Sequence, residues 1–123
     1  ALTEMLDIYP TLAGLCGLTP PPHIMGETLQ PVLDDPTHPH REAAFTVTSI
    51  RNRVEGMKKR ALGHTIRTAQ YRYTEWQDGE LGIELYDYAA DPQEYVNLAR
   101  VPGHEGLVQE LQTKLSAARD RLN

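Results

Sequence analysis

The clearest pattern along the chain is a helical one near its C-terminus. Between Gly103 and Leu122 the apolar residues recur at steps of three or four, which places them on one face of an α-helix. They are Leu107, Val108, Leu111, Leu115, Ala118 and Leu122. The pattern therefore predicts a terminal amphipathic helix that packs through this face.

Four shorter segments upstream of this helix have the composition of β-strands. They are residues 43–48, 65–68, 71–76 and 83–87. The second and third flank a tight turn at Ala69-Gln70, as the strands of a hairpin do. We therefore expect a small antiparallel sheet of about four strands packed with the C-terminal helix, which is an α+β arrangement.

Alternation within 71–76 divides its side chains between the two faces of that sheet. Tyr71, Tyr73 and Glu75 are predicted to face one way and the even-numbered residues the other. The aromatic residues are expected to form the sheet core and the cover for the last helix. They are Tyr71, Tyr73, Trp76, Tyr86 and Tyr88.

Two arginines alternate with these aromatic residues, Arg67 and Arg72. We expect them to pair with carboxylates on neighbouring strands, which explains their presence without a functional role. The candidate partners are Glu75, Glu84 and Asp87.

The first 42 residues have a different character. Residues 7–16 are typical of a short helix, in which Asp7 would accept hydrogen bonds from the first-turn amides and Gly17 would end the helix. Its apolar stripe consists of Tyr9, Leu12, Ala13, Leu15 and Cys16. Three consecutive prolines at 20–22 then open a proline-rich connector, with one helical turn expected at 29–33.

The charge of the chain is uneven. Its net charge is −5, which argues against nucleic acid as the main partner, and no apolar run reaches the roughly 18 residues of a membrane-spanning helix. Residues 51–60 nevertheless carry a net charge of +4, so the other 113 residues sum to −9. The positive loop is either a solvated charged segment or a contact for an anionic substrate.

Within and beside this loop, four side chains are candidates for substrate binding: Lys58, Lys59, Arg60 and His64. The ammonium and guanidinium groups suit sulfate or carboxylate groups. A neutral His64 could hydrogen-bond a sugar hydroxyl or a sulfate oxygen, and the alternative is that it fills an ordinary position at the start of a strand.

The other histidines and acidic residues do not predict a metal site. His38 and His40 lack a third ligand of the right kind, and Asp34-Asp35 lacks the six to eight oxygens that calcium takes. We expect the loop histidines to be solvated.

Four blocks of the chain, in this order, resemble the closing segment of a sulfatase, most of all the iduronate-2-sulfatase type. They are Asp7-Ile8-Tyr9-Pro10-Thr11-Leu12 with Leu15-Cys16-Gly17-Leu18, Gly26-Glu27-Thr28-Leu29-Gln30-Pro31-Val32-Leu33, Gly63 to Trp76, and Glu84-Leu85-Tyr86-Asp87 to Leu98. His64 stands where that type has tyrosine. The resemblance implies that residues 1–18 end a large catalytic domain, 19–42 form a connector, and 43–123 form the C-terminal sulfatase subdomain.

The resemblance also implies a parent enzyme of the alkaline-phosphatase-like superfamily, which hydrolyses sulfate esters with a formylglycine and a bound Ca²⁺. The residues for that chemistry belong to upstream sequence, so no catalytic or metal-binding role falls on a residue here and this segment alone is expected to be inactive. Cys16 lies in Cys-Gly-Leu-Thr-Pro, not in the Cys-x-Pro-x-Arg motif that yields formylglycine.

Three hypotheses follow. In the first, the segment is a structural part of a sulfatase acting on a sulfated sugar, packs on the upstream catalytic domain of the same protein, and uses residues 51–64 to line the substrate entrance. In the second, it is a stand-alone anion-binding or interaction module without catalysis. In the third, it is the tail of a related phosphoester or phosphonate hydrolase.

Overall fold

The structure is a computed structural model, and it describes residues 1–50 and 60–122 of the 123-residue chain. It divides into two compact units, Ala1–Ala44 and Phe45–Asn123, called here the first and the second unit. Most of the positive loop, including Lys58 and Lys59, lies outside the described residues.

The described helices and strands confirm the α+β class. The helices are α1 (Ile8–Leu15), α2 (Gln30–Asp34) and α3 (Glu105–Leu122), and a 3-10 turn at Met5–Asp7 precedes α1. The strands are β1 (Ala43–Ile50), β2 (Ala61–Thr68), β3 (Tyr71–Trp76) and β4 (Gly82–Asp87). The strands form one four-stranded sheet in the order β1-β2-β3-β4.

The predicted hairpin is confirmed, but β2 begins four residues earlier than expected. β2 and β3 are antiparallel, with Ile66 opposite Tyr73, and β3 and β4 are antiparallel too. Residues 61–62, predicted as loop, belong to β2. The reason is a contact between residues distant in sequence. The Gln77 amide donates a hydrogen bond to the Leu62 carbonyl at 2.7 Å, so the pairing of β2 with β3 extends into a segment whose sequence indicated a loop.

The core of the second unit lies between the sheet and α3. Its fully buried apolar side chains are Ile66, Tyr73, Leu85, Leu111 and Leu115. Gln112 of α3 donates to the Glu75 carboxylate at 3.0 Å, and the Tyr73 hydroxyl donates to the same oxygen. The predicted face of β3 that carries Tyr73 and Glu75 is therefore the one that α3 covers.

The expected aromatic core is only partly correct. Tyr73 is buried, whereas the other four aromatic residues are half-buried. Trp76 and Tyr86 share the opposite face of the sheet, since Trp76 pairs with Gly63 and Tyr86 pairs with Arg72. A Cβ atom at Gly63 would come within 2.7 Å of the Trp76 ring, so the indole packs flat on the glycine backbone.

The first unit has no comparable apolar core. Most of its large apolar side chains are exposed, and they are Met5, Leu6, Ile8, Tyr9, Leu12, Leu15, Leu18, Met25 and Leu33. Tyr9, Leu12 and Leu15 of the predicted α1 stripe belong to this set, and Cys16 is exposed with a free thiol. The apolar side of α1 is therefore uncovered in the part of the chain that the structure describes.

Candidate functional site

Two of the four predicted substrate-binding residues, Arg60 and His64, lie among the described residues. Arg60 is exposed and directly precedes β2, and His64 is the fourth residue of that strand. The two-residue period places both on one face of the strand, about 13 Å apart along its axis. The strand aligns them on one side but does not bring them into contact.

His64 has a more defined environment than an ordinary strand residue. Its ring stacks on Phe45 of β1, with the centroids 6.2 Å apart and the planes 13° from parallel. Its Nδ1 lies 3.5 Å from Oδ1 of Asp78. The same Asp78 oxygen forms an ion pair with Arg119 of α3 at 2.8 Å.

The turn between β3 and β4 explains how Asp78 reaches His64. Gln77 and Asp78 have positive φ angles of 50° and 55°, a left-handed conformation in which aspartate is one of the favoured non-glycine residues. Because Gln77 also bonds to Leu62 of β2, the turn folds back over that strand. Asp78 is therefore held beside the first half of β2.

A second polar cluster lies on the face of the sheet opposite α3. Arg72 forms an ion pair with Glu94 and lies 3.8 Å from Glu84, which confirms the predicted cross-strand partner Glu84. Arg67 instead places its guanidinium 3.6 Å from the centre of the Tyr88 ring. The hydrogen bond from the Tyr88 hydroxyl to Glu94, together with partial burial, raises the pKa of Tyr88.

The first unit centres on the buried carboxylate of Asp7. Its Oδ1 accepts hydrogen bonds from the Glu27 amide at 2.9 Å and from Arg41 at 2.5 Å. Its Oδ2 accepts from the Glu4 amide at 2.8 Å and from Arg41 Nε at 3.0 Å. The predicted N-cap role is wrong, because the Asp7 backbone is itself helical and its side chain makes no capping bond to α1.

These partners determine the charge state of Asp7. Burial raises the pKa of its carboxyl, but the hydrogen bonds from Arg41 and from the Glu27 and Glu4 amides outweigh burial, and so does the positive charge of Arg41. The pKa of Asp7 is therefore well below its ordinary range. The same contact raises the pKa of Arg41, so both groups stay charged at neutral pH.

His40 joins this cluster, contrary to the prediction of a solvated loop histidine. Its Nε2 lies 3.4 Å from Asp7 Oδ2, and its side chain is only 6% exposed. Arg41 adds contacts of 3.9 Å to Glu4 and 3.4 Å to Glu27. The cluster ties the start of α1 to the interior of the connector at Glu27 and to its C-terminal end at His40 and Arg41.

The described residues offer no catalytic metal centre. Within 1–50 and 60–122, no group of three or more histidine, cysteine, aspartate or glutamate side chains is arranged to hold a metal ion. The residues present therefore do not fit the Ca²⁺ that the resemblance implies for the parent enzyme. None of the helices in these ranges has both the length and the apolar character needed to cross a membrane.

The described residues form a short helix and a connector, followed by a four-stranded antiparallel sheet and a terminal helix that packs on it. The chain belongs to the family described as N-sulphoglucosamine sulphohydrolase, C-terminal, which matches residues 1–121. The predicted membership of the sulfatase family is confirmed, and the narrower likeness to the iduronate-2-sulfatase type stays a prediction.

Curated relatives include arylsulfatase K of Mus musculus, which is 29% identical over 103 residues and matches 80% of this chain and 18% of its own length. Delta 4,5-hexuronate-2-O-sulfatase of Bacteroides thetaiotaomicron is 32% identical over 109 residues, which are 85% of this chain and 21% of that protein. The chain thus spans about a fifth of the length of the relatives that it matches.

Solved structures share the fold. A protein in complex with its substrate D-glucosamine-2-N,6-O-disulfate has a TM-score of 0.75 and 26% identity, over 93% of this chain and 23% of that one. Phosphonate monoester hydrolase of Agrobacterium radiobacter has a TM-score of 0.72 and 29% identity, over 94% of this chain and 24% of that one.

Proposed function

We propose that this chain serves as the C-terminal subdomain of a sulfatase that hydrolyses sulfate esters of a sulfated sugar. The family match over residues 1–121 carries the proposal. The sugar as substrate class is supported by two similar proteins, a hexuronate-2-O-sulfatase and a protein solved with a disulfated glucosamine. In this proposal the reactive groups, formylglycine and Ca²⁺ included, belong to the rest of the parent protein.

The partner that we propose for the first unit is the upstream catalytic domain of the same protein. The support is the exposed apolar stripe of α1, where Tyr9, Leu12 and Leu15 are each more than half exposed. A contiguous apolar surface of this kind marks an interaction site when it is not covered. The large remainder of the matched relatives is the natural source of a covering surface.

The substrate contact that we propose is the positive loop and the strand that follows it. Lys58, Lys59 and Arg60 would approach sulfate or carboxylate groups of the sugar, and His64 would bind beside them. Two observations support this role. Arg60 is exposed, and residues 51–60 are positively charged in a chain that is otherwise acidic.

The test is a triple substitution in the parent protein, Lys58→Gln with Lys59→Gln and Arg60→Gln. We expect kcat/KM for an anionic sulfated sugar to fall roughly tenfold, since each exposed charge contact contributes up to about 1 kcal/mol. For a small aryl sulfate, which carries no anionic group besides the sulfate that is cleaved, we expect little change.

The matched control removes two exposed cations elsewhere, Arg100→Gln and Lys114→Gln. It should leave both substrates nearly unaffected. An equal loss on the sulfated sugar and on the aryl sulfate would remove the loop from the substrate entrance.

A second candidate function is hydrolysis of a phosphoester or phosphonate. The specific observation in its favour is the phosphonate monoester hydrolase with the same fold at 29% identity. Turnover of matched sulfate, phosphate and phosphonate monoesters by the parent protein separates the two activities. No turnover of any of them would favour the stand-alone binding module instead.

A further inference from the structure

We propose that Asp78 positions His64, so that the proton of the neutral ring resides on Nδ1 and Nε2 offers its lone pair to a hydrogen-bond donor. The donor that fits is a hydroxyl group of a sugar. The part that concerns the sugar rests on the function proposed above, whereas the position of the proton rests on this chain alone.

The surroundings of the buried ring nitrogen indicate where the proton of the neutral ring lies. Nδ1 of His64 is buried and has no hydrogen-bond partner among the described residues, and Oδ1 of Asp78 lies 3.5 Å away. In a neutral imidazole one nitrogen bears the hydrogen and the other bears a lone pair. A lone pair on Nδ1 would face the carboxylate oxygen and be repelled by it, whereas an N–H there is attracted.

The surroundings restrict the ring to this arrangement. Phe45 stacks on one face of the imidazole, which fixes the ring plane. Arg119 binds the same Asp78 oxygen at 2.8 Å, so it balances the carboxylate charge and holds it in place from α3. The positions of two strands, a turn and a helix thus determine the orientation of one ring.

The other acidic side chain near His64 does not compete for this role. Glu75 stands opposite His64 in the strand pair, but its carboxylate accepts hydrogen bonds from Tyr73 and Gln112. Within the described ranges, Asp78 is the acidic residue in ion-pair range of a His64 ring nitrogen.

The consequence concerns specificity. Because Nδ1 is buried, the exposed 15% of the His64 side chain belongs to its other atoms. A lone pair on Nε2 accepts from a hydroxyl and repels sulfate and carboxylate oxygens. The anionic groups of a substrate would then be left to Arg60, and His64 would accept a hydrogen bond from a hydroxyl group.

The experiment is nitrogen-15 NMR of the histidine rings in the 123-residue chain at about pH 9, where an imidazole is neutral, with the His64 signals assigned by their loss in His64→Gln. We expect Nδ1 in the chemical-shift range of a protonated nitrogen and Nε2 in that of an unprotonated one. In Asp78→Ala the ratio of the two tautomers should move towards Nε2–H by roughly threefold, because the electrostatic attraction between Nδ1–H and the carboxylate, which water partly screens, is lost.

Two further variants make the test selective. Glu80→Ala removes an exposed carboxylate from the same turn and should leave the tautomer ratio unchanged. Asp78→Asn keeps a residue that tolerates positive φ, so it removes the charge even if the alanine variant distorts the turn, and it should shift the ratio in the same direction by less.

A wild-type ring that is protonated mainly on Nε2 would overturn the proposal, and so would a ratio that Asp78→Ala and Asp78→Asn leave unchanged. Failure of the proposed function has a different signature. In that case the expected tautomer is observed, yet His64→Phe in the parent protein does not weaken turnover of a sulfated sugar relative to its deoxy analogue.

Discussion

The two units of this protein are stabilised by different kinds of interaction. The second unit buries Tyr73, Leu85 and two leucines of α3 between a sheet and a helix. The first unit buries a carboxylate at its centre and leaves the apolar side of α1 exposed. The first unit is therefore ordered by polar contacts that specify one geometry, while its apolar surface remains available for association.

The Asp7 cluster is suited to that task because its hydrogen bonds are saturated. Each carboxylate oxygen accepts two hydrogen bonds, one from a backbone amide and one from Arg41. Desolvation offsets much of the attraction in a buried ion pair, so the net gain in stability is small. Loss of one partner is costly, however, because the other charge stays buried without compensation.

The largest expected effect follows from breaking this pair. Asp7→Ala should destabilise the first unit by about 3 kcal/mol, because the buried Arg41 guanidinium loses its hydrogen-bonded partner and keeps only the longer contacts to Glu4 and Glu27. Hydrogen exchange measures the effect, and protection of the Glu4 and Glu27 amides should be lost while that of β2 and β3 is kept.

Asp34→Ala provides the control, since Asp34 is an exposed carboxylate in the same unit. It should leave the exchange pattern unchanged. Retained protection at Glu27 in Asp7→Ala, or an equal loss in both units, would contradict the distinction between them.

A matched pair of leucine truncations should give the next largest effect. Leu111→Ala creates a cavity in the core of the second unit and should lower the free energy of unfolding by about 3 kcal/mol. Leu12→Ala in α1 should change it by less than about 0.5 kcal/mol, because Leu12 is 58% exposed. Urea unfolding of both variants gives the comparison.

If Leu12→Ala costs as much as Leu111→Ala in the 123-residue chain, the α1 stripe is covered within this chain or by a second copy of it. Sedimentation of the wild-type chain and of the Leu12→Ala variant distinguishes those two cases.

The smallest expected effects are dependences on pH, and they have opposite signs in the two units. The pKa of Asp7 is lowered on folding, so its contribution is present above the ordinary aspartate pKa of about 4 and is lost as pH falls towards the folded value. The pKa of Tyr73 is raised by burial and by its hydrogen bond to Glu75. Its contribution is present below the ordinary tyrosine pKa of about 10 and is lost as pH rises.

Unfolding followed by circular dichroism across the acidic and alkaline ranges measures both slopes. Asp7→Asn should flatten the acidic slope, and Tyr73→Phe should flatten the alkaline one. An acidic slope that Asp7→Asn leaves unchanged would show that other carboxylates govern the stability of the first unit at low pH.

The parts of the fold that were predictable from sequence are those with local causes. The apolar period of α3 and the turn at Ala69-Gln70 operate within a few residues, and the structure contains both elements. The start of β2 was not predictable in this way, because it depends on the bond between Leu62 and Gln77.

The polar contacts were also not predictable from local sequence. The position of Asp7 before α1 suggested an N-cap, but its partners lie 20 and 34 residues away at Glu27 and Arg41. For the same reason His40 was predicted to be solvated and is buried. Arg60 and His64 were predicted as candidates from charge and position, whereas Asp78 and Arg119 gave no local signal.

Trp76 is the single tryptophan of the chain, and it lies in the second unit, where its indole packs on Gly63 and donates a hydrogen bond to Glu84 at 2.8 Å. Tryptophan fluorescence, excited at the red edge of the absorption band, therefore reports on the second unit alone. Melting of the Asp7 cluster is optically silent at these wavelengths, and an unchanged emission spectrum is no evidence that the first unit is intact.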